Sequence, residues 1–301
     1  MTFLPRTLLA LLLTSVLSGA QAQQLFSSPQ SAAEALIDAL GTDKADATKL
    51  EQLLGADWQQ YIPTDAIERK DVEAFLALYR EAHHIQEDGQ GQAHLLVGEV
   101  GWVLPLPLQK EAGGWHFDTQ AAAEEIRVRR IGRNEASAIQ AVRAYHDAQM
   151  DYAEVDRDDD GVLEYAQQFV SSDGLHDGLY WPDAPDTEQS PLGPLFGDEL
   201  PDGQWHGYHY RILAAQGPSA PGGSYDYRLG DNMSRGFALV AWPAEYADSG
   251  VMSFMISHDG QVFEKDLGPD GGQIATAMQR FDPDSSWQEV GESEPSTAGT
   301  E

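Results

Sequence analysis

The chain contains no cysteine. Disulfide frameworks, thiol nucleophiles and thiolate zinc sites are therefore excluded. Positive charge is scarce: 18 Lys and Arg stand against 49 Asp and Glu, a net charge of −31. A surface of that sign repels phosphate backbones, which excludes nucleic acid as a partner, and it disfavours anionic membranes. It favours solubility, divalent cations and basic or envelope-protein partners. Long apolar runs are also missing. The one apolar run, within the first 17 residues, falls short of the roughly 20 residues a bilayer takes, so no membrane span is expected in the mature chain. Neither a nucleophile elbow nor an HExxH zinc motif is present, and residues 268–272 lack the Lys-Ser/Thr of a phosphate loop.

What is present begins with a leader. Arg6 supplies a positive start, residues 8–17 form a short apolar core, and Ala20-Gln21-Ala22 is a small-x-small cleavage site. Residues 1–22 are expected to be a removed signal peptide, and the protein to be exported to the periplasm or the medium. About 280 residues then remain, enough for one large domain or two ordinary ones with real cores. The 42% hydrophobic and 9% aromatic content is ordinary for a globular protein.

Periodicity and punctuation predict the elements. Residues 23–26 read as a loose lead-in. Ser28 followed by Pro29 starts a helix with apolar residues at 32, 33, 35, 36, 39 and 40, which Gly41 stops. Further helices are expected over 47–54 and 66–84, and strands over 93–100, 102–110 and 114–118. Pro105 and Pro107 mark the second of these strands as an edge or a bulge, and Gly113-Gly114 as a hairpin turn. A long helix over 120–155 follows, with Gly132 as a weak point. Strands over 208–215, 225–229, 237–242, 251–257 and 261–265, a turn at His258-Asp259-Gly260 and a helix over 271–281 capped by Asp270 complete the pattern. The class is α+β: an N-terminal domain of helices and a curved antiparallel sheet (23–131), then a long helix on an antiparallel sheet (132–290), then a disordered acidic tail (291–301). The first domain is similar in pattern to cone-shaped NTF2-like domains.

Several stretches carry a family resemblance: Ile131-Gly132-Arg133-Asn134-Glu135; Ala148-Gln149 with Tyr152; residues 158–166 (DDDGVLEYA), 176–182 (HDGLYWP), 190–195 (SPLGPL), 208–213 (YHYRIL), 215–218 (AQGP), 236–246 (GFALVAWPAEY) and 265–268 (KDLG). Together they resemble the exported bacterial family of unknown function 2950 over nearly the whole mature chain. The resemblance implies export and fold, and no chemistry. The second half is also similar to head domains of pilin-like proteins. True pilins carry a hydrophobic helix directly ahead of the head, where this chain has a soluble domain.

The segment with chemistry is Asp156-Arg157-Asp158-Asp159-Asp160-Gly161-Val162-Leu163-Glu164. Its carboxylates stand at loop positions 1, 3, 5 and 9 of an EF-hand-type pattern, with glycine at 6. Calcium takes six to eight oxygens, and alternate carboxylates in a tight loop can converge on one ion. The expected ligands are Asp156, Asp158, Asp160, the carbonyl of Val162, and Glu164. Position 12 is Gln167, which offers one oxygen where a glutamate offers two. The expected affinity is therefore about 0.1–1 mM, the range of extracellular modules, and the expected role of Ca2+ is structural. The competing reading is an Asp-rich turn whose side chains bond only to backbone.

Other constellations are weaker. His206 and His209, three apart on a strand, point to opposite faces. His83-His84 diverge on a helix. His176-Asp177, with Glu245 and His206, would serve an envelope polymer hydrolase if the four met in one cleft. Of the tryptophans, Trp102, Trp115 and Trp242 read as core, and Trp181 and Trp205 as a possible sugar platform. The functional expectation is a non-catalytic envelope or secreted protein for binding or assembly, with a calcium-stabilised loop. The alternatives are the hydrolase and a pilin-like component of a surface or secretion system.

Overall fold

The computed structural model describes residues 23–62, 67–182, 188–193 and 204–291. The expected signal peptide and residues 292–301 of the expected tail lie outside the described residues. The fold is α+β, in two units that part within one long helix, between Ile126 and Arg127.

In the first unit, Ser28 caps helix α1 (Pro29–Leu40). Its Oγ accepts from the Ser31 N–H, and Ser31 Oγ accepts from the Ser28 N–H in return. The apolar stripe of α1 buries Ala32, Ala33, Leu36 and Ala39. Asp46 caps α2 (Ala47–Leu54) by accepting from the N–H groups of Thr48 and Lys49. Helix α3 (Arg69–Glu81) follows. The antiparallel sheet runs β1 (His83–Glu87), β2 (Gln92–Val97), β4 (Leu108–Glu111), β5 (Gly114–Phe117), with β3 (Trp102–Val103) also on β2. Trp115 and Phe117 alternate inward from β5 onto Leu36, Leu53 and Leu108.

Four local expectations are corrected here. The segment 23–26 is tied down: Gln23 Nε2 donates to the carbonyls of Leu53 and Phe117, and Phe26 exchanges backbone hydrogen bonds with Trp115. That pairing requires Gly114, because a Cβ there would lie 2.4 Å from the Phe26 carbonyl oxygen. His83 and His84 belong to a strand that starts where α3 ends. The expected strand over 102–110 is two strands, since Pro105 and Pro107 have no N–H to give a ladder. Trp102, expected in the core, is 45% exposed.

Helix α4 (Thr119–Tyr152) is unbroken at Gly132. Its first turn places Ala122 in the first core, and no further residue is fully buried until Ala138. From there Ala138, Val142, Tyr145, Ala148 and Tyr152, at spacings of three and four, enter the second core. The second unit's sheet joins β6 (Gln204–Trp205), β7 (Tyr208–Leu213), β10 (Ala238–Pro243), β11 (Met252–Ser257), β12 (Val262–Asp266) and β13 (Gln288–Glu289). Its order is β13-β12-β11-β10-β7-β6, antiparallel throughout. A separate ribbon pairs β8 (Ala215–Gln216) with β9 (Tyr225–Asp226). Helix α5 (Gly271–Ala277) packs on β10.

Ala238, Leu239, Val240 and Ala241 are all fully buried, so β10 is covered on both faces. Burying each large apolar side chain of this core contributes about 1.5–3 kcal/mol. Carboxylates and amides of α4 also fasten the chain ahead of β11. Glu135 accepts from the N–H groups of Val251 and Met252 at 2.9 and 3.0 Å, and Asn134 donates to the Ser249 carbonyl at 2.8 Å. Among the described residues no helix is long and apolar enough to cross a membrane.

Candidate metal centre

The Asp-rich loop leaves α4 after Tyr152. Asp159 has φ 59° and Gly161 φ 86°, so the chain passes twice through the left-handed region. Asp tolerates that region because its short side chain bonds locally; glycine enters without a steric penalty. A Cβ at Gly161 would meet nothing within 4 Å, so conformation and not space makes glycine necessary there. Side chains hold the turn. Asp156 Oδ2 accepts from the Gly161 N–H at 2.9 Å, Asp158 Oδ1 from the Asp160 N–H at 3.3 Å, and Asp160 Oδ1 from the Val162 N–H at 2.8 Å.

The result is a gathering of charge. One carboxylate oxygen from each of Asp156, Asp158 and Asp160 lies within 4.8 Å of the others. Asp156 Oδ1 is buried and accepts no hydrogen bond. Glu164 stands outside that triad and accepts from the Met233 N–H through Oε2 at 3.2 Å. Its carboxyl is pushed up, by burial first and then by the charges of Asp158, Asp160 and Asp156, against the pull of the Met233 N–H. Glu164 therefore feels the field of all three aspartates. Val162 is engaged through its N–H.

The loop is fastened on three sides. Arg157, at its second position, forks onto Glu188 at 3.0 and 3.1 Å and donates to the Tyr152 carbonyl. Its guanidinium lies 4.7 Å from the Tyr152 ring and 5.1 Å from the Trp181 ring. Arg157 is buried, with 7% of its side chain exposed, whereas Glu188 is half exposed; the fork holds the Glu188 carboxyl below its usual range. On a second side, Asn232 donates to Asp160 Oδ2 at 2.5 Å, and Gln167 donates to the Asp231 carbonyl. On the third, Gln149 of α4 is fully buried. Its Nε2 donates to the Ala166 carbonyl and to Tyr145 Oη, and its Oε1 accepts from the Ala166 N–H.

Glu188, Asn232 and Gln149 carry no metal-binding signal of their own, and sequence reasoning missed them as parts of the site. For Gln149 the only available sign was an amide on an apolar helix face, between Tyr145 and Tyr152. The expected sugar platform is corrected in part. Trp181 is 4% exposed, stacked against His176 at 4.1 Å, with Nε1 donating to the Glu188 carbonyl.

The hydrolase quartet has separate employments. The Asp177 carboxylate accepts from the Ser172 N–H and hydroxyl, and His176 lies flat on Trp181. The Glu245 N–H and carbonyl both engage Ser249, and His206 occupies the turn between β6 and β7 at φ 53°. No hydrogen bond or ion pair joins the four among the described residues. His209 packs on Trp242.

No curated protein and no solved structure matches the chain, so the NTF2-like and pilin-head likenesses gain no support. Residues 23–290 match the family described as protein of unknown function (DUF2950). By that match, which spans both units, the chain belongs to the DUF2950 family.

Proposed function

We propose that this is an exported, non-catalytic protein in which the loop 156–164 binds one calcium ion through Asp156, Asp158, Asp160, the Val162 carbonyl and Glu164. The ion has a structural role: it fastens the end of α4 to the turn closed by the Leu229–Asn232 bridge. Export is supported by the leader pattern of residues 1–22 and by a family match that begins at Gln23.

The observation that carries the metal reading is the buried, unpartnered Asp156 Oδ1 beside the gathered oxygens of Asp158 and Asp160. A buried carboxylate oxygen without a donor is costly, and like charges this close repel. A divalent cation relieves both at once. A purely backbone-bonded Asp turn has no use for the second oxygen of Asp156.

Titration calorimetry of the purified chain with calcium chloride tests this. The expected result is one site with Kd about 0.1–1 mM, lost in Asp156→Asn/Asp158→Asn. At 10 mM calcium, mass action over that range stabilises the folded state by about 1.4–2.7 kcal/mol. A melting temperature that calcium leaves unmoved, with no heat of binding, would refute it.

A further inference from the structure

Away from the Asp-rich loop, three arginines come together around one small cavity. This cavity of about 290 Å³ is lined by Arg211 to Ala215, by Asp226 and Arg228, and by Met278 to Arg280. Three of the chain's 18 basic residues thus line one small space, with a single carboxylate among them.

Their partners do not neutralise them. Arg211 is a half-buried cation on β7. Its Nη2 donates to the carbonyls of Ala275 (2.8 Å) and Met278, which anchors the end of α5, and its Nε is buried without an acceptor. Among the described residues no carboxylate pairs with Arg211 or Arg280. Arg228 lies 3.8 Å from Asp226, with both side chains about half exposed, a pairing that contributes little.

A half-buried arginine with no carboxylate partner, beside two exposed arginines that share one carboxylate, is unexpected in a chain with 31 surplus negative charges. Guanidinium groups match the oxygens of phosphate and carboxylate by forked hydrogen bonding. A cavity of this size sits at the small end of ligand sites and takes a small molecule or one functional group of it. We propose that the cavity between β7, β9 and the end of α5 binds a small polyvalent oxyanion, a phosphate or dicarboxylate, with Arg228 and Arg280 at its mouth and Arg211 as the fixed charge behind them.

The test is titration calorimetry at low ionic strength in calcium-free buffer, with inorganic phosphate in one arm and succinate in the other. Arg211 is left intact because it holds α5. The variant Arg228→Gln/Arg280→Gln changes two exposed side chains. Lys265→Gln removes one positive charge elsewhere as a control, and unchanged far-ultraviolet dichroism confirms the fold of each. The expected result is saturable one-to-one binding of at least one probe, weakened at least about tenfold in the double variant and less than about twofold in the control. The arm that binds more tightly identifies the oxyanion as phosphate or carboxylate. Failure of both probes to bind the unaltered chain overturns the proposal. So does binding that survives in the double variant, or that falls as far in Lys265→Gln.

Discussion

Replacing Gln149 by Leu isolates the contact that ties the exit of the acidic loop to the long helix. The two side chains are close in volume, so packing changes little. The substitution removes three buried hydrogen bonds. It leaves both the N–H and the carbonyl of Ala166 without partners, in a residue 1% exposed. Each unsatisfied buried group costs about 1–3 kcal/mol, and removing the amide's own desolvation offsets part of this. The net expectation is a loss of about 3 kcal/mol. For a cooperative unit of this size that lowers the melting temperature by about 6–12 °C. Urea unfolding followed by near-ultraviolet dichroism reads the loss, and hydrogen exchange at Ala166 reads its location. Gln149→Glu serves as the directional control. It keeps acceptors for the Ala166 N–H, loses both donors, and buries a charge, so it is expected to cost more than Leu. A loss under about 1 kcal/mol in Gln149→Leu, or a glutamate variant as stable as the parent, would refute the assigned role.

Two further outcomes follow from contacts in the second unit. Glu135→Ala leaves the N–H groups of Val251 and Met252 without the oxygen they share; a loss of about 2 kcal/mol is expected in denaturant melts, while Glu135→Gln, which keeps a carbonyl oxygen, loses less than half of that. Asp177 gives a pH signature. Burial pushes its carboxyl up, but the Ser172 N–H and hydroxyl outweigh this and hold it below the usual carboxylate range. A carboxyl lowered on folding stabilises above its unfolded value of about 3.9 and ceases to do so as pH falls through the folded value. The stability gap between the parent and Asp177→Asn is therefore expected to be flat from about pH 5 to 8 and to close below about pH 4. Because the group is largely exposed, the gap is about 0.5 kcal/mol, and urea melts at stepped pH measure it.

The elements with their own local signals were legible in the sequence. Helices α1 and α2 carry caps, apolar stripes and stop glycines within a dozen residues, and nothing distant alters them. β10 and β11 read as strands because their apolar runs are bounded by Gly and Pro. β1 was hidden: His83–Glu87 has one apolar residue, Ile85, and exposes most of the rest, so its identity comes from pairing with β2. β6 and β13, two residues each, are strands only because a neighbour is. Gly132 misled in the other direction. A helix-interior glycine costs only about 1 kcal/mol, which a helix of 34 residues absorbs.

The candidate metal centre divides along the same line, and the division explains what the spacing of aspartates can and cannot say. Alternation of Asp at 156, 158 and 160 with glycine at 161 is a local instruction, because a left-handed turn at glycine folds those side chains back onto their own backbone N–H groups. That much any Asp-rich turn achieves, and it is why the motif alone left the backbone-bonded reading open. The proposed ion site also has long-range support. Asn232, 72 residues away, takes one oxygen of Asp160, and the Met233 N–H, 69 residues away, takes one of Glu164. These contacts hold Glu164 where burial first, and then the charges of Asp158, Asp160 and Asp156, raise its pKa. A turn that only satisfied its own backbone would gain nothing from being held shut against its own repulsion. If the loop binds an ion as proposed, its bracing by Arg157, Asn232 and Gln149 would meet part of the ordering cost beforehand, and the single oxygen offered by Gln167 would weaken the site without abolishing it.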